Sequence, residues 1–150
     1  MKSKVEECFE QGLLKKVNPN LNLAEQSIKT AEHFFDESEE LIKVEIKDMA
    51  FIALYSASFH AARALLFRDG VKERSHYCVC KYIEEKYQEP ELVTMQQAVI
   101  LDSLRSKRND IQYSLEQPEL EENLNEIFNE VSAFIERVKE IIKKGKKPPE

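Results

Sequence analysis

Apolar residues recur every three or four positions along most of the chain, which is the spacing of one face of an α-helix. No segment alternates between apolar and polar residues in the way that indicates a β-strand. The pattern therefore predicts an all-α fold, an up-and-down helical bundle of four to five main helices plus a short N-terminal helix. The predicted helices span residues 5–14, 20 or 22 to 39, 41–67, 76–88, 91–115 and 118–144.

The third predicted helix is apolar or small on nearly every side, as expected of a helix that other helices surround. Alanines at spacings of three and four form a stripe along it where a neighbouring backbone can approach closely. These alanines are Ala50, Ala53, Ala57, Ala61 and Ala64. Gly70 is expected to end this helix, and Ser75 is expected to cap the next one. We expect the third helix to form the centre of the core.

The length and charge of the chain limit its architecture and its partners. The chain has 150 residues, which suits one domain over residues 1–150 with its own core, and the basic tail at 143–150 is expected to be a frayed helix end. The net charge of −6 gives no general attraction for nucleic acid, so any RNA contact needs a local basic patch. There is no secretory leader and no membrane-spanning segment in the pattern, which predicts a cytoplasmic protein without a membrane partner.

Three cysteines, Cys8, Cys78 and Cys80, form no even disulfide framework, and the last two are too close in sequence for an ordinary disulfide. We therefore expect a reducing environment. His76 lies near Cys78 and Cys80, but no second pair of ligands accompanies them, so no metal site is expected. Glycine-rich phosphate loops and other cofactor motifs are absent from the sequence, so no cofactor is expected either.

The fifth predicted helix contains an unusual interruption of its apolar face. The 3–4 spacing of that face runs through Leu101, Leu104, Ile111 and Leu115, and Arg108 occupies the position between Leu104 and Ile111. A guanidinium cannot lose its charge, so Arg108 must reach solvent, pair with an acid or bind an anion.

A second, polar stripe on the same helix consists of Asp102, Arg105, Asn109 and Gln112. This stripe is equally typical of plain solvated surface, because Asp102 and Arg105 at i,i+3 form an ordinary ion pair worth a few tenths of a kcal/mol, about 0.2–0.5. The pattern alone leaves both interpretations open.

Two segments together resemble a known family. The sequence RNDIQYS from residue 108, with YSASFHAARALLFRDGVKERSH over residues 55–76, is similar to the HEPN domain family, and the likeness extends roughly over residues 23–142. The resemblance implies a bundle of four or five helices, commonly a homodimer. It also implies a prokaryotic toxin–antitoxin setting in which the partner is a minimal nucleotidyltransferase.

The resemblance also implies roles for particular residues. Active HEPN ribonucleases carry an arginine, a polar neighbour such as asparagine, and a histidine four to six residues after the arginine. Arg108 and Asn109 match the first two positions, but Tyr113 stands where the four-residue spacing would place the histidine. A phenol with a pKa of about 10 is a poor substitute for an imidazole at about 6.5 in proton transfer near neutral pH.

These considerations favour a module that binds a nucleotide, RNA or a protein partner over an enzyme. The residues expected to contact a ligand are Arg105, Arg108, Asn109, Gln112 and Tyr113. The alternative is a metal-independent endoribonuclease toxin, in which Arg108 and Asn109 stabilise the phosphate and Tyr113 or His60 transfers protons.

Overall fold

The computed structural model describes residues 1–115 and 123–144. Within these residues there are six α-helices and two short β-strands. The helices are α1 (Lys4–Glu10), α2 (Leu21–Lys43), α3 (Lys47–Asp69), α4 (His76–Ile83), α5 (Met95–Tyr113) and α6 (Leu124–Lys143). The strands are β1 (Leu14–Lys16) and β2 (Val71–Glu73), and a π-helical turn, Glu84–Gln88, extends α4. The predicted all-α helical bundle is confirmed.

Side-chain caps fix the start of several helices. Asn20 accepts a hydrogen bond from the Leu23 N–H and begins α2, and Ser75 accepts one from the Cys78 N–H and begins α4. Thr94 begins α5 with a capping box in which Gln97 bonds back to the Thr94 backbone. Each cap satisfies N–H groups that the first turn of a helix leaves without partners, so these residues set where the helices start. The start expected for α5, directly after Pro90, was therefore four residues too early.

The junction between α2 and α3 also differs from the prediction. Residues 41–43 belong to the end of α2, the chain turns through residues 44–46, and α3 begins at Lys47. Glu45 adopts a positive φ of 59° in this turn, although neither glycine nor proline marks it in the sequence. The first helix likewise ends at Glu10 and not at residue 14, and Gly12 follows it with φ 72°. Residues 118–122 of the predicted sixth helix and residues 145–150 of the expected frayed tail lie outside the described residues.

Helix α3 is the central helix, as predicted. It packs along α2, and it also contacts α5, α6 and α4. The five alanines of its predicted stripe are all buried. By length and composition α3 is long and apolar enough to cross a membrane, but 72% of the relevant window is buried inside the bundle. That burial is typical of the core helix of a soluble domain.

The two strands form a small antiparallel ribbon that the sequence did not indicate. Leu14 pairs with Glu73 and Lys16 pairs with Val71. Strands of three residues are too short to show alternation, and the pairing joins segments far apart in sequence, so periodicity could not reveal it. Gly70 caps α3 in the left-handed conformation with φ 78°, as predicted. A β-carbon on Gly70 would lie 2.5 Å from the carbonyl oxygen of Val17, so the ribbon requires glycine there.

A disulfide joins Cys8 of α1 to Cys78 of α4 across a sequence separation of 70 residues. The expectation of reduced cysteines is therefore wrong for this pair. An odd number of cysteines does not exclude one long-range bridge, and the remaining Cys80 is free and buried. The bridge ties the N-terminal helix to the helix that begins with His76.

Candidate functional site

The interrupted apolar face of α5 lies against the bundle as its spacing predicted. Leu101, Leu104 and Ile111 are buried, and Arg108 is half-buried between them. The stripe ends at Ile111, because Leu115 lies beyond the helix and is fully exposed. The membership of Leu115 in the buried face was therefore wrong. Arg108 is placed at the point where α5 passes over α3 and the start of α4.

Three groups hold the guanidinium of Arg108. Its Cζ atom lies 5.0 Å from the centre of the Tyr55 ring, within the range of a cation–π contact. Its Nη1 donates a hydrogen bond of 3.0 Å to Oε1 of Gln112, and its Nη2 lies 3.4 Å from Nδ1 of His76.

The contacts of Arg108 include no acid. Among residues 1–115 and 123–144, no carboxylate lies within ion-pair distance of its guanidinium, and its buried Nε has no hydrogen-bond acceptor. The sequence left open whether Arg108 pairs with an acid inside the bundle, and the described residues contain no such pair. The positive charge of Arg108 is therefore fixed in place by neutral groups.

His76 is the residue that the structure adds to the site. It occupies the first turn of α4, directly after the Ser75 cap, and its ring stacks on Phe59 at 4.1 Å between centroids. The hydroxyl of Tyr55 lies 2.7 Å from Nδ1 of His76. Burial, and next the positive charge of Arg108, lower the pKa of His76 below its ordinary value.

Tyr55 lies beneath the site and contacts both Arg108, through its ring, and His76, through its hydroxyl. Only 4% of this residue is exposed, and burial raises the pKa of its phenol to about 12. The hydroxyl therefore stays protonated near neutral pH and can donate to His76. Tyr55 lies on α3, which packs against α2, α4, α5 and α6, so its buried ring supports Arg108 and His76 from inside the bundle.

Arg105 lies beside this site but its charge is compensated. Its Nε donates to Asp102 at 3.0 Å, and its guanidinium lies 5.7 Å from the centre of the Tyr77 ring. The ordinary i,i+3 ion pair that the polar stripe allowed is thus present. Arg105 adds positive potential to the site, but Arg108 is the stronger candidate for direct contact with an anion.

The side chains of Asn109 and Tyr113 do not contact Arg108, His76 or Tyr55. Both are exposed, Tyr113 by 73%, and within the described parts of the chain neither side chain makes a hydrogen bond or a ring contact. The structure therefore shows Tyr113 as a surface phenol one turn and a half beyond Arg108. Their roles as ligand contacts remain predictions.

His60 is also placed away from Arg108. Its ring stacks on Phe34 of α2 at 5.6 Å between centroids and meets Phe59 edge-on at 5.6 Å. Burial lowers the pKa of His60. The sequence suggested that His60 could face the fifth helix, but the structure brings His76 to Arg108 instead. The clue to His76 was the Ser-His pair that ends the family-like segment, but in the sequence His76 was considered only as a capping or packing residue and as a metal ligand.

No group of three or more metal-ligating side chains occurs in residues 1–115 and 123–144, so the site offers Arg108, His76 and Tyr55 as its chemistry. Two of these groups can carry positive charge and the third is a hydroxyl. Such a set can bind an oxyanion by charge and by N–H or O–H donation.

Comparisons with known proteins give one positive result. Curated protein sequences yield no match to this chain. The sequence model of the HEPN domain matches residues 24–141, a range that contains α3, α4 and α5 together with Tyr55, His76 and Arg108. Because the match covers well over half of the chain, it confirms the resemblance found in the sequence. The chain belongs to the HEPN domain family.

Proposed function

We propose that this protein is a HEPN-type module that binds the phosphate of a nucleotide or RNA at Arg108 without cleaving it. Membership of the family supports a nucleotide- or RNA-binding role. The observation that carries the proposal is the guanidinium of Arg108, half-buried and without an acidic partner among the described residues. A guanidinium held in this way, with no acid beside it, is available to bind an anion.

The surroundings of Arg108 suit a phosphate. Tyr55 and Gln112 fix the guanidinium plane, which reduces the entropy lost when a ligand binds. Arginine pairs bidentately with phosphate oxygens, and these charge-assisted hydrogen bonds are the stronger kind. Arg105 lies one turn away and adds positive potential, although Asp102 compensates most of its charge.

Cleavage by the family's usual route is not part of the proposal, because Tyr113 replaces the histidine that would exchange protons. Its phenol is exposed to solvent, and its side chain contacts neither Arg108 nor His76 among the described residues. Arg108 can bind and orient a phosphate, but Tyr113 cannot take a proton from a ribose hydroxyl at a useful rate.

The proposal extends to protein partners. A second copy of this chain and a minimal nucleotidyltransferase in a toxin–antitoxin pair are the partners that the family resemblance supports. The cytoplasmic location that the sequence predicted is not part of the proposal, because the Cys8–Cys78 disulfide favours an oxidising environment. Light scattering on the purified protein tests the homodimer. Co-expression with a neighbouring nucleotidyltransferase, followed by purification on one tagged chain, tests the second partner.

Binding to a fluorescent single-stranded RNA tests the central proposal. Arg108→Ala should weaken binding at least tenfold, about 1.4 kcal/mol or more, and reduce the slope of log K against log salt by about one. Lys43→Ala is the matched control, because Lys43 is an exposed cation on the surface of α2 whose partner among the described residues is Glu40. Equal affinities for Arg108→Ala and the wild-type protein would refute the proposed site.

The ribonuclease remains a second candidate because of one observation. His76, a titratable imidazole, lies 3.4 Å from Arg108, so the site contains the two residue types that the family's catalysts use, although from different helices. Incubation of structured and unstructured RNA with the protein in EDTA decides between the candidates. RNA cleavage that both Arg108→Ala and His76→Ala abolish would replace the binding proposal with the enzyme.

A further inference from the structure

The hydrogen bonds around His76 determine which of its ring nitrogens is available to a ligand. Nδ1 faces two groups, the hydroxyl of Tyr55 at 2.7 Å and Nη2 of Arg108 at 3.4 Å. The guanidinium can only donate, and the phenol of Tyr55 is protonated, so Nδ1 accepts. The neutral imidazole therefore carries its proton on Nε2. The ring of His76 is covered on one side by Phe59 but remains open to solvent, and no hydrogen bond within the described residues uses this Nε2–H.

We infer that His76 is a second phosphate-binding residue of this site, and that it makes the site selective for a terminal phosphate monoester by taking up a proton when that group binds. The inference rests on the proposed function, since the phosphate is the one held by Arg108. It names the class of ligand, the phosphate at the end of a nucleotide or RNA strand, in preference to an internal phosphodiester.

Protonation of His76 would rearrange the hydrogen bonds in favour of the ligand. A protonated Nδ1 becomes a donor, so the hydroxyl of Tyr55 turns to accept from it. Nη2 of Arg108 then loses its acceptor on His76 and becomes free for a phosphate oxygen. One proton thus adds a positive charge at Nε2–H and releases an N–H of Arg108.

Four charged residues on three elements surround His76. Arg108 and Arg105 lie on α5, Arg63 lies on α3, and Glu73 lies on β2. Glu73 pairs with Arg63 at 2.6 Å, and Asp102 pairs with Arg105 at 3.0 Å. The uncompensated charge next to the imidazole is therefore that of Arg108.

That charge explains why a bound ligand changes the protonation of His76. Without a ligand, burial and the positive charge of Arg108 hold the pKa of the imidazole below its ordinary value. A phosphate on Arg108 removes this repulsion and adds an attraction, so the pKa of His76 rises in the complex. Because the complex binds more protons than the free protein, affinity must rise as the pH falls through this range.

The charge of the ligand sets the selectivity. A phosphate monoester carries about −1.5 to −2 at pH 7, whereas a phosphodiester carries about −1. The single charge of Arg108 neutralises a diester, so a bound diester should raise the pKa of His76 less than a monoester does. A monoester matches the two cations of Arg108 and protonated His76.

Isothermal titration calorimetry with adenosine 5′-monophosphate tests the inference, with adenylyl-3′,5′-adenosine as the ligand that has one internal diester and no terminal phosphate. From about pH 8 to about pH 6.5, wild-type affinity for the monophosphate should rise about fivefold relative to His76→Gln. Titration of the ligand itself is common to both proteins and cancels. His33→Gln should behave like the wild-type protein, because His33 is an exposed histidine paired with Glu37 on α2.

The outcomes separate the inference from the proposed function. If the monophosphate binds through Arg108 but wild-type and His76→Gln proteins share one pH dependence, or if the diester binds equally well, the inference is wrong and the proposed function stands. If Arg108→Ala binds the monophosphate as the wild-type protein does, or if the wild-type protein binds neither the monophosphate nor RNA, both are wrong. Imidazole NMR of His76 should show its pKa rising when the monophosphate is added.

Discussion

Reduction of the Cys8–Cys78 disulfide should destabilise the protein severely. The bridge spans a sequence separation of 70 residues, and the chain-entropy relation for a loop of that size gives about 4 kcal/mol at 25 °C. Observed effects of disulfides commonly lie at about 2–4 kcal/mol, and the stability of a whole domain is only about 5–15 kcal/mol. Loss of the bridge should therefore remove a large fraction of the free energy of unfolding.

Urea unfolding with and without a thiol reductant measures this loss. The wild-type protein should lose about 2–4 kcal/mol under reductant, and Cys8→Ser should match the reduced protein in both conditions. Cys80→Ala is the control, because Cys80 is free and its replacement leaves the bridge intact. This variant should still respond to reductant. Titration of three reactive thiols in unfolded, unreduced wild-type protein, or one unfolding curve in both conditions, would show that the bridge does not form.

Four further predictions concern single residues or pairs. Gly70→Ala should lower the free energy of unfolding by at least about 1–3 kcal/mol in urea, because of its φ of 78° and the close carbonyl; unchanged stability would contradict the close approach. The pKa values of His60 and His76 are lowered in the folded protein, so the unfolded chain binds more protons below about pH 6.5. Thermal unfolding should therefore show that stability falls as the pH drops through this value. A double substitution of both histidines by glutamine should make stability depend less on pH. Tyr113→Ala should change neither stability, by more than about 0.5 kcal/mol, nor RNA affinity, because its side chain is largely exposed; a tenfold loss of affinity would restore it to the site. Arg108→Leu should raise the free energy of unfolding by about 1 kcal/mol while abolishing phosphate binding, and a destabilised variant would mean that Arg108 serves the fold.

Much of the fold followed from the sequence because helix periodicity and caps are local signals. Asn20, Ser75 and Gly70 each act within a few residues of the helix end that they define. Ser75 and Gly70 were identified, and Asn20 was one of two alternatives for the start of its helix. The turn at Glu45 was missed because a non-glycine residue adopts a positive φ there, and the apolar pattern continues across it. The ribbon and the disulfide were missed because each joins segments separated by more than fifty residues.

In the candidate site, too, the sequence revealed the residue with a local signal and missed those that only tertiary packing brings together. Arg108 was found because it breaks the apolar stripe of its own helix. Tyr55 and His76 could not be connected to Arg108, because they lie on other helices and only the packing of α3, α4 and α5 brings them together. His60 packs against Phe34 and Phe59 while His76 lies beside Arg108. The sequence could not show this, because helix spacing gives the neighbours of a residue on its own helix but not the helix that it faces.

The β1–β2 ribbon has a consequence for how the protein can be shortened. The family match begins at residue 24, so a chain trimmed to that match would lack α1, β1 and the Asn20 cap. The carbonyl of Gly70 would lose the Val17 N–H at 2.8 Å, and the Arg74 N–H would lose the carbonyl of Leu13 at 2.9 Å. The segment between α3 and His76, which contains β2, would then lack its hydrogen bonds to the N-terminal part of the chain. We therefore expect the smallest stable unit that keeps the proposed phosphate site to extend beyond the family match and to include α1, β1 and the Asn20 cap.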